Sequence, residues 1–381
     1  RYYGLLAHGY ADDNRPAEAI RVYQSLLQLD PDNPQAMVAM GLFYKKQGND
    51  SAFRRYMHQV FSNPGFSLEE KINFMYPYLK YVEVDTSQRE EALALCRMLV
   101  DAHPGDARAL ALSGDMYLQS GMPDSAMLAY RRSMAAADTL YEVWNQMMLV
   151  YAAGGERDSL LAMSAAAVQR FPARAEAWYY RGVALSSSGD AKGSAAALER
   201  ALQLPVSDKH LRIQLYATLG EAYQQLGRFS SSDTCFRTAL DLDPENDRVL
   251  NNYSFHLAER DQDLSQALSM ITEAVKLRPE ESVYEDTYAW VLFKLGRYAE
   301  AKVWIEKALA DTGAGSHPGY FDHYGDILYM NDDRRGALAE WKRARARGDD
   351  SRLLQWKISR GKLPGPRKEQ RLSGIKSISV R

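Results

Sequence analysis

The chain has 381 residues, 46% of them hydrophobic and 25% charged, with a formal net charge of −2. That balance excludes a disordered, collagen-like or low-complexity chain, and no apolar run approaches the roughly 18 residues a membrane-crossing helix needs. The two cysteines, Cys96 and Cys235, fall at one recurring place on an apolar helix face. Buried thiols are expected there, rather than a disulfide or a metal pair.

Read in chain order, the sequence repeats. A small residue followed three later by an aromatic residue or Leu recurs at Gly41/Tyr44, Gly114/Tyr117, Gly182/Leu185, Gly220/Tyr223 and Gly325/Leu328, at an interval near 34 residues. The pattern opens with Tyr3, Leu6, Ala7 and Tyr10, then Ala19, Tyr23, Leu26 and Pro31. Its helix pair is clearest over 216–244. Tyr216, Leu219, Gly220 and Tyr223 sit at i, i+3, i+4 and i+7, one face of a helix that Gly227 should end. Ser232, Phe236 and Ala239 mark a second helix, which Asp243-Pro244 closes because proline cannot continue a helix interior. Later pairs carry Leu250, Tyr253 and Ile271, then Ala289, Leu292 and Ile305, then Phe321, Gly325 and Trp341. A period of this length predicts stacked helix pairs, each touching only its neighbours.

The pattern resembles the tetratricopeptide repeat family, whose W-x2-L-G-x2-Y…A-x3-F…P signature appears in order along nearly the whole chain. The resemblance implies an all-α, right-handed superhelical solenoid of about ten helix-turn-helix repeats over 1–347, the third divergent. A capping helix over 348–361 and a basic extended tail over 362–381 complete the expected organisation.

The spacing slips in three places: Ser62 to Asp85, which opens with a Ser67/Glu70 capping box; Val206 to Arg212; and the Gly-rich connection from Thr312 to Gly319. Insertions in repeat arrays map to loops, so kinks or longer helices are expected rather than domain boundaries. Charge is uneven as well. Residues 342–381 hold 13 Lys/Arg and 3 Asp/Glu, against 34 and 46 in the rest of the chain. A basic end on an acidic body bears on contacts, including occupation of a groove by the chain's own tail. The acidic body argues against nucleic acid as a partner.

No catalytic set stands out. The seven histidines are scattered, and His317 and His323 lack the i, i+4 spacing of a metalloprotease motif. Gly313-Ala314-Gly315-Ser316 has no following Lys and reads as a connector, and Asp241 and Asp243 belong to a helix-ending turn. No enzyme activity, cofactor or metal is expected.

Positions 2, 5, 9 and 12 of each first helix form a stripe apart from its packing face. The family resemblance implies that this stripe lines a partner groove. It is plain in the first repeats (Gly4, His8, Val38, Leu42, Lys45) and mixed in the middle (Asn145, Leu149, Tyr179, Val183). The Lys-x3-Asn pairs of chaperone-tail-binding relatives are absent, which argues against a co-chaperone. In the last three repeats it holds Asn251, Phe255, Asp286, Trp290, Phe293, Asp322, Asp326 and Tyr329. Aromatic anchors beside carboxylates suit a groove for basic and apolar protein or peptide segments. The competing reading is that the rings pack against neighbouring helices or the capping helix.

These features point to a scaffold or adaptor that binds proteins. Leu250 to Arg260, Asp286 to Trp290 and His323 to Asp326 look like bacterial repeat proteins, including envelope-associated ones of Gram-negative species. That likeness implies a place in the periplasm or on the periplasmic face of the outer membrane, with any membrane contact through an upstream anchor. The alternatives are a cytoplasmic place and a regulatory or targeting domain of a larger enzyme or co-chaperone. The chain starts at Arg1, so a signal peptide or lipid anchor upstream stays open.

Overall fold

The structure is a computed structural model describing residues 3, 6, 7, 9, 10, 13, 15–63, 66–80, 82, 83, 85–310 and 317–365. Gly4, His8, the 313–316 connector and the tail beyond Gly365 lie outside the described residues. Twenty helices run from Pro16 to Arg360, and there is no strand among the described residues. Two compact units divide the chain, residues 1–163 and 164–381.

In the first unit, α1 (Pro16–Leu29), α2 (Pro34–Lys46), α3 (Asp50–Ser62), α4 (Leu68–Leu79), α5 (Thr86–Ala102), α6 (Ala107–Gln119), α7 (Pro123–Ala136) and α8 (Tyr141–Ala153) follow one another; α3 packs on α5 more than on α4, and α4 packs on α5 and α6. The core runs through Phe53, Met57, Met75, Leu99 and Met116. In the second unit the consecutive pairs are α10 (Ala175–Ser187) with α11 (Ala191–Leu202), α12 (Lys209–Gln225) with α13 (Phe229–Leu242), α14 (Asp247–Glu259) with α15 (Leu264–Leu277), α16 (Ser282–Lys294) with α17 (Tyr298–Ala310), and α18 (Pro318–Met330) with α19 (Arg334–Ala346). The short α20 (Arg352–Arg360) follows; α9 (Arg157–Arg170) precedes α10.

One steric rule explains the recurring glycine. A Cβ at Gly114 would stand 2.3 Å from the Tyr130 ring, at Gly182 2.5 Å from Leu198, and at Gly325 2.4 Å from Trp341. Each obstructing side chain comes from the second helix of the same pair, sixteen positions on. The absent side chain lets the two backbones approach, and the large partner fills the space. In the fifth repeat the glycine's place holds Met148, and the sixteenth residue on is Ser164; each is fully buried.

The turn between paired helices has its own demand. Gly227 sits at φ +69°, and one period later Asp261 takes φ +52°, a left-handed conformation that aspartate tolerates better than most residues. Helix starts are set by side-chain caps, as where Asn246 accepts from the Val249 amide and Ser351 from the Leu354 amide.

The first two spacing slips resolve into local adjustments. Ser67 accepts from the Glu70 amide at the start of α4, and Pro77 lies in that helix's last turn. Lys71, only 1% exposed, donates from Nζ to the carbonyls of Phe61 and Asn63 at the end of α3 and meets His103 Nε2 at 3.1 Å. A cation suits the negative end of a helix. Burial pushes the Lys71 ammonium down. Burial, with Lys71 beside it, pushes His103 down too, which fits a neutral ring accepting from the amine. The second slip becomes the 17-residue α12, capped by Asp208. Cys96 and Cys235 are buried free thiols, pushed up to about 12 and about 11 by burial, so they are inert packing residues.

Candidate functional site

From α12 onward, side chains on and beside the stripe join each first helix to the next. Glu221 on α12 accepts from Asn252 Nδ2 at 3.0 Å and meets His256 Nε2 at 2.6 Å, both on α14. Glu259 on α14 accepts from Trp290 Nε1 on α16 at 2.7 Å. Asp286 on α16 meets His323 Nδ1 on α18 at 2.9 Å. Asp322 and Asp326 on α18 take Lys357 Nζ of α20, at 2.9 Å to both Asp322 oxygens and 2.7 Å to Asp326 Oδ2. The remaining Asp326 oxygen accepts from Trp341 Nε1 at 2.8 Å. Every step between first helices spans 31 to 37 residues, about one repeat. Side chains about one repeat apart on successive helices therefore form a polar ladder.

This ladder uses half of the stripe residues singled out from the sequence: Asp286, Trp290, Asp322 and Asp326. Asn251, Asp286, Trp290 and Asp326 are buried; Phe255, Phe293, Asp322 and Tyr329 are half-buried. Trp290 lies flat between Phe293, at 4.9 Å, and His323, at 4.2 Å. Phe255 tilts onto His323, and Tyr329 packs against Trp341 beneath the Arg334 guanidinium. Asn251 donates to Asn252, and its own Oδ1 has no hydrogen-bond partner among the described residues. In this structure the rings and carboxylates thus meet other side chains of the chain, chiefly His323, Lys357 and Trp341.

Burial and charge compete in this cluster. Burial alone would lower His323, but the charge and hydrogen bond of Asp286, helped by Asp322 and Glu259, raise it to about 9. The ring is therefore a cation at neutral pH, stacked on Trp290. Burial, with Asp322 alongside, holds the Asp326 carboxyl well above the usual carboxylate range even though Lys357 opposes the shift. For Lys357, the two carboxylates outweigh burial and raise the ammonium.

The first unit is built differently. Gln35, Val38 and Leu42 hold stripe positions on α2 but face a cavity of about 670 Å³. Ile20, Phe43, Phe66 and Phe74 supply apolar walls, with Lys46 and Glu70 exposed among its lining residues. Leu42 is 46% exposed, a large apolar side chain in solvent beside other apolar groups. Lys45, the next stripe residue, is drawn away into an ion pair with Glu91. The divergent third repeat contributes Phe66 and Phe74, so the irregular stretch forms one wall of this cavity.

Paired helices of near-equal length, packed in sequence with one sterically obligatory small position, define a helical-repeat protein. The chain belongs to the tetratricopeptide repeat family: the family's profile, described as "Tetratricopeptide repeat", matches residues 122–349, more than half of the chain. Two further profiles, "TPR repeat" and "Tetratricopeptide repeat", match 8–48 and 81–139. A TPR repeat-containing protein of Pseudomonas aeruginosa is 25% identical over 126 residues, 33% of this chain and 21% of that protein, so the likeness spans about a fifth of the relative's length. Among solved structures, a tetratricopeptide repeat protein from Parabacteroides merdae superposes with a TM-score of 0.52 at 14% identity, covering 67% of this chain and 98% of the other. The APC/C hetero-tetramer Cut9–Hcn1 superposes with a TM-score of 0.56 at 11% identity, covering 94% and 89%. At these identities the likeness concerns the fold.

Proposed function

We propose that the chain is a non-catalytic scaffold that binds segments of other proteins along the stripe of its first helices. The observation that carries this reading is the open apolar cavity at Val38 and Leu42. Repeat proteins cover such positions where they serve only to hold the array together, as the ladder of the second unit does. Exposed Leu42 and the half-buried Ile20, Phe43, Phe66 and Phe74 gain on burial by a partner, at roughly 25 cal/mol per Å² of apolar surface covered. Partner segments rich in apolar side chains suit this groove. Basic ones suit the acidic stripe of the last repeats, where Phe255, Phe293 and Tyr329 keep part of their surface in solvent.

The setting we propose is a bacterial envelope assembly on the periplasmic side, supported by the likeness of residues 250–326 to envelope-associated repeat proteins. The test is crosslinking and affinity capture from native cells with the wild-type chain and with Leu42→Asp/Phe74→Ser. Loss of captured partners from the variant is expected; an unchanged set would move the binding surface elsewhere. Fractionation of the same cells tests the setting, and recovery in the cytoplasmic fraction would overturn it.

A further inference from the structure

We propose that α20 is an internal ligand, and that the slot it fills on the last repeat is a docking site for a short amphipathic helix of a partner protein. The required pattern is a leucine followed three residues later by a lysine. This deepens the reading of the chain as a protein-binding scaffold and rests on it.

Lys357 is 2% exposed and Leu354 is fully buried, whereas most of the rest of this nine-residue helix faces solvent. Leu354 packs in the cluster of Phe321, Leu328 and Trp341, with Ile358 half-buried at its edge. Lys357 Nζ donates to three carboxylate oxygens, two of Asp322 and one of Asp326. An ammonium has three donors around one point, which matches three converging acceptors; the flat, forked guanidinium of arginine does not. The slot therefore selects lysine.

The register shows that the slot is a repeat-to-repeat contact left open at the chain's last pair. Lys357 stands 35 and 31 residues after Asp322 and Asp326, the same steps that join Glu221 to His256 and Glu259 to Trp290. So α20 sits where the first helix of a further repeat would sit. Charge favours cationic competitors. Asp286, Asp322 and Glu259 all act on His323, and Asp322 and Asp326 both act on Lys357. Buried ion pairs lose much of their attraction to desolvation, so a seat built on one is specific without being strongly held.

The test uses the full chain and a fluorescent peptide spanning Asp350 to Lys362. In a Leu354→Ser/Lys357→Ala chain, which cannot seat its own helix, the peptide should bind about tenfold or more tighter than to wild type. The peptide made with Lys357→Arg should lose about tenfold or more, and adding Asp322→Asn/Asp326→Asn to the chain should abolish binding. Circular dichroism checks that the variant is folded. A folded variant that ignores the peptide, or takes the arginine peptide equally well, overturns the proposal. If the variant does not fold, hydrogen exchange of residues 352–360 in wild type decides. Acceleration by excess native peptide, and not by the arginine peptide, supports the slot; no acceleration contradicts it. Because the probe comes from the chain itself, failure here leaves the Leu42 experiment unaffected.

Discussion

Val38 and Leu42 on α2, and Asp286 and Trp290 on α16, occupy the same positions of their repeats. The first pair faces a cavity of about 670 Å³; the second pair is buried against Phe293 and His323 and hydrogen-bonded across to neighbouring first helices. The repeat thus fixes where a side chain points, while the side chain's chemistry decides whether that direction is a contact within the array or a surface for something else. Apolar residues at these positions need a neighbour of matching shape. Carboxylates, His, Trp and Lys can reach one repeat further and make the contact themselves.

Substitutions should separate the two regions. The largest effect is expected from Lys357→Met, which strands the buried Asp326 and half-buried Asp322 carboxylates without a counterion. Chemical denaturation should show a loss of about 3–5 kcal/mol in the second unit. A loss under about 1 kcal/mol would mean the ion cluster is already solvated.

Next is Gly114→Ala, whose Cβ would press on the Tyr130 ring at 2.3 Å. Overpacking of this kind costs about 1–3 kcal/mol. Gly220→Ala should cost less, because Phe236 stands 3.0 Å away and needs to shift only a few tenths of an ångström. Equal costs at the two sites would show that the array relaxes freely and that the small position is not sterically set.

Trp290→Phe keeps the stack on His323 but removes the Nε1 donor to Glu259, for an expected loss of about 1–2 kcal/mol. A smaller but diagnostic effect is expected from pH. His323, raised to about 9 from 6.5, contributes stability that is complete below pH 6.5 and lost as pH rises through 9. Asp326, raised above its ordinary value, opposes folding once ionised, so stability also rises as pH falls through its native titration. Both shifts make the second unit more resistant to heat near pH 6 than near pH 9.5, and His323→Gln should flatten that dependence. The opposite slope would place the histidine as neutral in the fold.

Leu42→Asp closes the series. An exposed site should change stability by no more than about 0.5 kcal/mol while removing partner capture. A large destabilisation would mean that Leu42 belongs to the core.

The fold was legible because each local signal repeats. Gly227 ending one helix, Pro244 closing the next, and small residues at 114, 182, 220 and 325 all agree from pair to pair. The stripe was legible as a place, since spacing alone puts Asp286, Trp290, Asp322 and Asp326 on one helix face. Its chemistry was not, because the groups that meet it (Glu259, His323, Trp341 and Lys357) belong to other helices. A search for complementary side chains one period apart would have paired Glu221 with His256 and Asp322 with Lys357. The apolar cavity escaped for another reason. Val38 and Leu42 look ordinary beside aromatic stripes, and the walls Phe66 and Phe74 come from the stretch where the period lapses.

Carboxyl footprinting of the native wild-type chain, read residue by residue by mass spectrometry, tests the contrast most directly. Asp286 and Asp326 should resist modification while Glu70, exposed beside the open cavity, reacts freely. Modification of Asp326 as fast as Glu70 would show that the last repeats are open, and would contradict the account.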